Sequence, residues 1–220
     1  DRALEIFGCH GLCITNIAVT GGQNKLGNFE YGGGVRLRAC RGVFQSCAIT
    51  NNLVVTSWSQ SDTYAGGLFV RGNSSSVTLD GCLVADNDIG STGGRKAYGG
   101  GLATEYAGML AISNCVIRDN GAVSPDMKNG GGVFIKTSSK FDIFNTLFVG
   151  NRSTGDGAAV YSAVAGTMAN CTVADNSYAG DGIYMCPSDE DIATIVNSIV
   201  TGNPLNENGS VGISYSLLPK

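Results

Sequence analysis

Cysteines are the first residues in this chain whose types and spacing could do chemistry. The eight cysteines stand at positions 9, 13, 40, 47, 82, 115, 171 and 186. Metal chemistry is not expected from them, because they form no paired Cys-x-x-Cys motifs and His10 is the single histidine. Cys9 and Cys40 each follow the start of an equivalent apolar run by five residues, so they should stack as neighbours. That stack could be a disulfide, which an oxidising compartment would favour, or a pair of free thiols.

Carboxylates form a second candidate set. Asp86 and Asp119 each precede an asparagine at equivalent places of a repeat. Stacked on neighbouring turns, the two carboxylates could hold Ca²⁺, the alternative being that they are solvated residues of a bend. No other cofactor is predicted. Arg118 adjoins Asp119, but one such pair does not make a catalytic constellation, so no catalytic residue is assigned.

Aromatic side chains form a third set. Trp58, Tyr64 and Tyr98 fall in variable polar stretches between apolar runs. Aromatic rings on a surface can stack on sugar rings, which makes these three residues candidate ligand contacts. The alternative is that the rings pack the variable stretches onto the body of the protein.

The elements that position these residues come from a repeat. An apolar residue is followed three positions later by a small residue and five positions after that by a residue that is usually asparagine. This phrase occurs in seven copies, which end at positions 22, 52, 87, 120, 151, 176 and 203. The asparagines are Asn52, Asn87, Asn120, Asn151, Asn176 and Asn203. We expect them to form a stacked corner, since asparagine amides hydrogen-bond along a ladder and asparagine tolerates the left-handed conformation of a sharp bend.

A second phrase, rich in glycine, lies between copies of the first. Gly-Gly-Gly-Val occurs at 32–35 and 130–133, and Gly-Gly-Gly-Leu at 99–102. Most of the variation in length falls between the two phrases, in 21–31, 53–65, 88–98 and 121–129, which are predicted loops on one side of the molecule. Same-sense copies of short β-type runs predict an all-β protein: a right-handed, single-stranded parallel β-helix, a solenoid of about seven turns. Residues 1–220 form one such domain, expected to be part of a longer chain.

The two apolar runs of each copy are predicted to supply columns that face the core, to which Phe44 and Val84 belong. The residue before the second run is Ile17 in the first copy and a small residue in the other six. Cysteine occupies this place at positions 47, 82, 115 and 171, with Thr146 and Ser198 at two others. The column is predicted to face the narrow interior, and its cysteines to be free thiols that act as small apolar side chains.

Composition excludes several classes of partner. Net charge is −4, with 14 basic and 18 acidic residues scattered along the chain, so nucleic acid is not an expected partner. No apolar run approaches the roughly 18 residues that a membrane-spanning helix needs.

The Cys-x-Ile-x-x-Asn phrase, alternating with Gly-Gly-Gly-Val or Gly-Ile-Tyr, resembles the repeats of pectin-lyase-like β-helix regions in bacterial surface proteins. These include autotransporter passengers and the polymorphic outer-membrane proteins of chlamydiae. The resemblance covers nearly the whole chain, but the Phe-x-x-Asn phrase of the chlamydial proteins is not kept. It implies an extracellular or outer-surface location.

Three functions follow as hypotheses. The first is a structural or adhesive β-helix that displays loops to glycans or cell-surface proteins. The second is a carbohydrate-active enzyme, a polysaccharide lyase or glycosidase, which rests on analogy of fold. The third is a subunit of an extracellular fibre, because open strand edges at the ends of a coil favour end-to-end self-assembly.

Overall fold

The computed structural model describes residues 3–24, 32–56, 62–91, 96–123, 128–136, 140–176, 181–187, 192–202, 205–207, 211–214 and 216. Within these residues the regular elements are all β-strands, and neighbouring strands run parallel. The same part of the chain contains no helix, and so none that is long and apolar enough to cross a membrane. The predicted all-β parallel solenoid is confirmed.

Three long sheets form the body of the coil, and each turn contributes one strand to each of them, except that the last described turn has strands in sheets A and B alone. The strands of sheet A are Leu4–Phe7, Val35–Arg38, Leu68–Arg71, Leu102–Glu105, Val133–Lys136, Val160–Ser162, Ile183–Met185 and Leu205–Glu207. Those of sheet B are His10–Thr15, Arg41–Gln45, Ser76–Asp80, Met109–Ser113, Lys140–Phe144, Gly166–Ala169, Ala193–Val196 and Val211–Ser214. Those of sheet C are Ala18–Thr20, Ala48–Thr50, Leu83–Ala85, Val116–Arg118, Leu147–Val149, Thr172–Ala174 and Ile199–Thr201.

Two smaller sheets lie in the stretches that were predicted as loops, apart from the strand Arg152–Ser153. The strands of sheet D are Gln23–Asn24, Leu53–Thr56, Asp88–Ser91, Gly121–Ala122 and Arg152–Ser153. Those of sheet E are Thr63–Tyr64, Ala97–Tyr98 and Lys128–Asn129. The prediction of plain loops was therefore wrong for these segments, because insertions of different length can still pair with their neighbours along the coil. The described residues of these stretches pair with their equivalents on the neighbouring turns.

The core is made of columns of equivalent side chains from successive turns. In sheet B the strand register pairs Phe44 with Leu79 and Leu79 with Ile112, and all three side chains are fully buried. In sheet C, Val84 pairs with Ile49 on one side and Ile117 on the other, and these are also fully buried. Alternate residues point outward, as the period of two along a strand requires. The inward columns agree with those predicted from the repeat.

The predicted asparagine corner is a buried ladder. In Asn52, Asn87, Asn120 and Asn151, the side-chain Nδ2 donates to Oδ1 of the asparagine on the next turn, at 2.8–2.9 Å. The backbone N–H of each of these four donates to the same Oδ1, at 3.0–3.1 Å. Nδ2 also donates to a carbonyl of sheet C, such as Val84 O, 2.9 Å from Asn120. Asn176 ends the described part of the ladder, and Asn203 lies outside the described residues.

The left-handed bend belongs to the residue before each ladder asparagine rather than to the asparagine itself. Asn51, Asp86, Asp119 and Asp175 have φ of +54° to +56°. The expectation that the ladder asparagines adopt this conformation was wrong. The preceding residue turns the chain, which leaves the asparagine side chain free to point inward.

The glycine phrase is the other half of this corner. A Cβ built on Gly67 would lie 2.5 Å from Gly101 O and 3.0 Å from Asn87 Cγ. One on Gly101 would lie 2.9 Å from Asn120 Cγ. Real Cβ atoms need more room than this, so these positions require glycine because the ladder packs directly against their backbone. The two phrases of the repeat therefore meet in space.

Candidate functional site

The inward cysteine column is a hydrogen-bond ladder. Cys82 Sγ accepts from the N–H of Cys47 at 3.4 Å and donates to the carbonyls of Phe44 and Asp80 at 3.3 and 3.5 Å. Cys115 Sγ accepts from the N–H of Cys82 in the same way, at 3.3 Å. A thiol here supplies both a donor and an acceptor to the backbone of the bend.

Hydroxyl residues take the same place on other turns. Thr146 Oγ1 donates to Phe144 O at 2.8 Å, and Ser198 Oγ donates to Val196 O at 2.9 Å while accepting from Cys171 N at 3.1 Å. The common property of the column is therefore a small side chain with an S–H or O–H group, rather than apolar character alone. Burial raises the pKa of the Cys171 thiol, which keeps the donor proton in place.

Substitution of Cys82 tests whether the column acts through its hydrogen bonds or only through small apolar side chains. Cys82→Ala leaves the buried N–H of Cys47 without an acceptor, which should lower the free energy of unfolding by about 1–3 kcal/mol. Cys82→Ser keeps the donor and the acceptor and should cost less than Cys82→Ala. Urea unfolding measures the free energy of unfolding of each variant and so shows which one is the more stable. If the alanine variant were the more stable, the column would act as a set of small apolar side chains.

Cys9 and Cys40 lie on neighbouring turns, but they do not form the disulfide that was considered from their spacing. Both thiols are free. Cys40 Sγ lies 3.4 Å from Cys9 N and donates to Ile6 O and Arg38 O at 3.3 and 3.2 Å. The sulfur of Cys40 is thus directed at backbone groups instead of at the other sulfur atom.

The candidate calcium ligands Asp86 and Asp119 are joined by an arginine. Arg118 Nη1 lies 2.6 Å from Asp119 Oδ2 and 3.6 Å from Asp86 Oδ2. The guanidinium group therefore already supplies a positive charge to both carboxylates. In the part of the chain that the structure describes, no group of three or more His, Cys, Asp or Glu residues could hold a metal ion.

The candidate sugar contacts Tyr64 and Tyr98 are buried. Their side chains are 3% and 8% exposed, and their ring centroids lie 5.1 Å apart. Tyr98 stacks on Phe134 at 4.4 Å, and this row of rings covers the outer face of sheet A. Covered rings cannot stack on a sugar, so both tyrosines pack the inserts onto the coil. Trp58 lies outside the described residues.

A buried glutamate lies beside this row of rings. Glu105 accepts hydrogen bonds at 3.1 Å from the Tyr64 hydroxyl and from Lys136 Nζ, and its second oxygen lies 3.4 Å from Arg71 Nε. Lys136 Nζ also donates to the Tyr64 hydroxyl at 2.9 Å. Burial and the Glu105 carboxylate raise the pKa of Tyr64 far above its usual range. In this network the one carboxylate is shared by two cations, Arg71 and Lys136, and its hydrogen bonds stabilise the join between sheets A and E.

An open groove continues from this network across the bend between sheets A and B. Its volume is about 940 Å³. We call it the arginine groove, and the residues that can contact a ligand there are Arg36, Arg38, Arg71, Asn73, Ser74 and Tyr106. The three arginines project from the outer face of sheet A, where Arg38 and Arg71 are direct neighbours in the strand register. Asn73 and Ser74 belong to the turn that follows Arg71.

The side chains of the groove offer hydrogen-bond donors, acceptors and an aromatic ring. Guanidinium groups hold oxyanions through two parallel N–H donors, and asparagine and serine add neutral hydrogen bonds. The Tyr106 side chain is 42% exposed and offers a ring surface. Among the described residues that line the groove there is no pair of carboxyl groups of the kind that glycosidases use.

Reasoning from the sequence missed this groove. Its arginines lie in or next to β-type runs, where they look like ordinary solvated residues. Tyr106 carries a detectable signal, because it occupies the bend at which Ala39 and Gly72 stand on the two preceding turns. A bulky residue at a place held by alanine and glycine marks an unusual position.

A family model described as a right-handed beta helix region matches residues 2–163 and, in a second overlapping match, residues 98–217. Together the two matches span nearly all of the chain. No curated protein and no solved structure matches it.

Proposed function

Since the chain belongs to the right-handed β-helix family, we propose that it is a rigid recognition scaffold which binds carbohydrate in the arginine groove. In this proposal the coil supplies a stiff support and the groove supplies the contacts. The setting is the outer surface of a bacterial cell or the extracellular space, in keeping with the resemblance of the repeats to bacterial surface proteins. Glycans or glycosylated surface proteins are the partners.

One observation carries this proposal: an exposed aromatic ring and arginine side chains line the same open groove on a regular β-face. Sugars are bound in proteins by rings that stack on their apolar faces and by polar groups that bond their hydroxyls. Tyr64 and Tyr98, two of the aromatic residues first considered as sugar contacts, are buried, whereas Tyr106 is an exposed ring that lines the groove. A groove of about 940 Å³ can hold two or three sugar residues, since small-ligand sites measure roughly 300–1,000 Å³.

Binding to a broad glycan array, with calcium and with chelator, tests the proposal. We expect a set of glycans to be retained in both conditions, because the described residues that line the groove include no carboxylate to bind calcium. Tyr106→Ala should remove most of the signal. If the parent chain bound no glycan on the array in either condition, this result would contradict carbohydrate binding and would favour a purely structural role.

Arg152→Ala is the matched control for a general loss of positive charge. Arg152 is exposed on sheet D, away from the groove, and its guanidinium lies 3.6 Å from Asp88. This variant should bind as the parent does. The glycans retained on the array are also the substrates for a turnover assay, in which release of shorter products would favour the alternative of a carbohydrate-active enzyme.

A further inference from the structure

The arginines of the groove differ in how far their charge is compensated. Arg36 Nη1 lies 3.0 Å from Glu5 Oε1, and Arg71 Nε lies 3.4 Å from Glu105 Oε2. Arg38 forms no ion pair with any described residue. Its guanidinium carbon lies 5.5 Å from the centroid of the Phe7 ring, so its charge has a ring contact but no ion pair within that part of the chain, and it lines a groove with room for a ligand.

Charge around the groove is also opposite to that of the whole protein. The chain carries a net charge of −4. Yet Arg41, which donates to Ser74 O at 3.1 Å, adds a fourth arginine to the rim, where Glu5 is paired with Arg36 and Glu105 with Arg71. A concentration of positive charge on an acidic protein has no evident role in keeping the protein soluble. It does provide local attraction for an anion.

Tyr106 adds a separate observation, from the backbone. The bend between sheets A and B has a left-handed residue on each of four successive turns: Gly8, Ala39, Gly72 and Tyr106. At φ +53° the tyrosine is strained in a way that glycine would not be. Its ring does not recover this cost by burial, because 42% of the side chain is exposed. Ala39 has the same φ of +53°, so the conformation belongs to the bend, and what distinguishes Tyr106 is an exposed ring at a place where the other turns have alanine or glycine.

The ring and the cations lie close enough to act on one ligand. The guanidinium carbon of Arg71 is 6.0 Å from the centroid of the Tyr106 ring. Arg38 is on the turn next to Arg71, and turns of a parallel sheet are about 4.8 Å apart. This separation is close to the width of one sugar ring.

We infer that the arginine groove selects sugars that carry an oxyanion substituent, a sulfate or a carboxylate, which Arg38 and Arg71 hold while the ring stacks on Tyr106. This inference rests on the proposed carbohydrate binding and adds the chemical class of the ligand. A planar carboxylate and a tetrahedral sulfate each present two oxygen atoms that can accept parallel N–H bonds from a guanidinium fork. Arg38 makes the primary contact, because binding there displaces no existing ion pair.

Two matched pairs of polymers test the selectivity in isothermal titration of the whole chain. Dextran sulfate against dextran tests the sulfate, and carboxymethylcellulose against hydroxyethylcellulose tests the carboxylate. In at least one pair, the charged polymer should bind ten times or more tighter than the neutral one. Affinity for the charged polymer should also fall as salt is raised from 50 to 200 mM, because the contact is with exposed arginines.

Three variants link binding to the groove. Arg38→Ala should weaken binding of the charged polymer at least tenfold, and Arg152→Ala should not. Tyr106→Gly should lose binding while its midpoint of thermal unfolding stays equal to or rises above that of the parent, since glycine relieves the backbone strain. A Tyr106→Gly variant that unfolds earlier than the parent would mean that the tyrosine is structural.

The outcomes separate the two proposals. Equal binding of charged and neutral polymers would overturn the preference for anions and leave carbohydrate recognition standing. Equal loss of binding in Arg38→Ala and Arg152→Ala would overturn the assignment of binding to the groove, because an exposed arginine outside the groove would then contribute as much to binding as Arg38 does. If the chain bound none of the four polymers and no glycan on the array, both proposals would be overturned.

Discussion

Val84→Asp should lower the free energy of unfolding by roughly 4 kcal/mol or more, because it places an unpaired carboxyl group in the core. Val84 is fully buried between Ile49 and Ile117 in the inward column of sheet C. The new carboxylate would be surrounded by apolar side chains from the turns above and below. Whole domains have only about 5–15 kcal/mol of stability, so the variant should unfold at much lower urea concentration than the parent.

Leu83→Asp is the control for Val84→Asp. Leu83 is the adjacent residue of the same strand and is half-buried on the outer face of sheet C. Because its side chain points outward, aspartate there should cost no more than about 1 kcal/mol. Urea unfolding followed by circular dichroism measures both variants. Equal losses in the two would mean that the inward and outward columns have been assigned incorrectly.

Asn120→Asp should destabilise the coil in a way that depends on pH. Asn120 Nδ2 donates to Val84 O and to Asn151 Oδ1, both at 2.9 Å, and the residue is fully buried. Aspartate replaces this donor with an oxygen that faces two acceptors. At neutral pH the loss should be about 3 kcal/mol or more, since buried groups lose their hydrogen bonds and a charge is buried without a partner.

The sign of the pH dependence follows from linkage. Burial raises the pKa of the new carboxyl in the folded state above its value of about 4 in the unfolded chain. The folded state then binds more protons than the unfolded state, so stability falls as pH rises from about 4 towards the folded-state pKa. The difference from the parent should therefore be smaller at pH 4.5 than at pH 8.

Asn145→Asp is the matched control for this variant. Asn145 Nδ2 donates to Asn114 Oδ1 at 2.7 Å, but the pair is exposed on the outer bend between sheets B and C. Aspartate also tolerates the left-handed conformation found there. Its effect should be small and nearly independent of pH. A pH-independent loss in Asn120→Asp would contradict burial of the ladder.

The turns of the coil and the residues that face its interior could be predicted from the repeat. Each copy of the first phrase supplies one strand of sheet C, and the period of two along a strand assigns the inward residues. Val84 and Phe44 were placed in the core on this basis, and both are fully buried. These features depend only on local periodicity and on stacking of equivalent turns, which a repeat makes visible.

The hydrogen-bonding role of the cysteine column could not be predicted in the same way. The exchange of cysteine with Thr146 and Ser198 is visible in the sequence and points to small size. That Cys82 Sγ accepts from Cys47 N on the preceding turn depends on the direction of a backbone N–H. Only the folded bend decides that direction.

The outer layer also needed the tertiary structure. Inserts between the two phrases differ in length, so the sequence by itself does not align their residues from one turn to the next. Tyr64 and Tyr98 could therefore be placed in variable stretches, but their burial against sheet A follows from the pairing of sheet E. The same holds for the arginine groove, which joins Arg38, Arg71 and Tyr106 from three successive turns. The repeat in the sequence predicts the residues that all turns share, such as those of the core. A site built from residues that differ between turns cannot be predicted in this way, because its parts come together only when the turns stack.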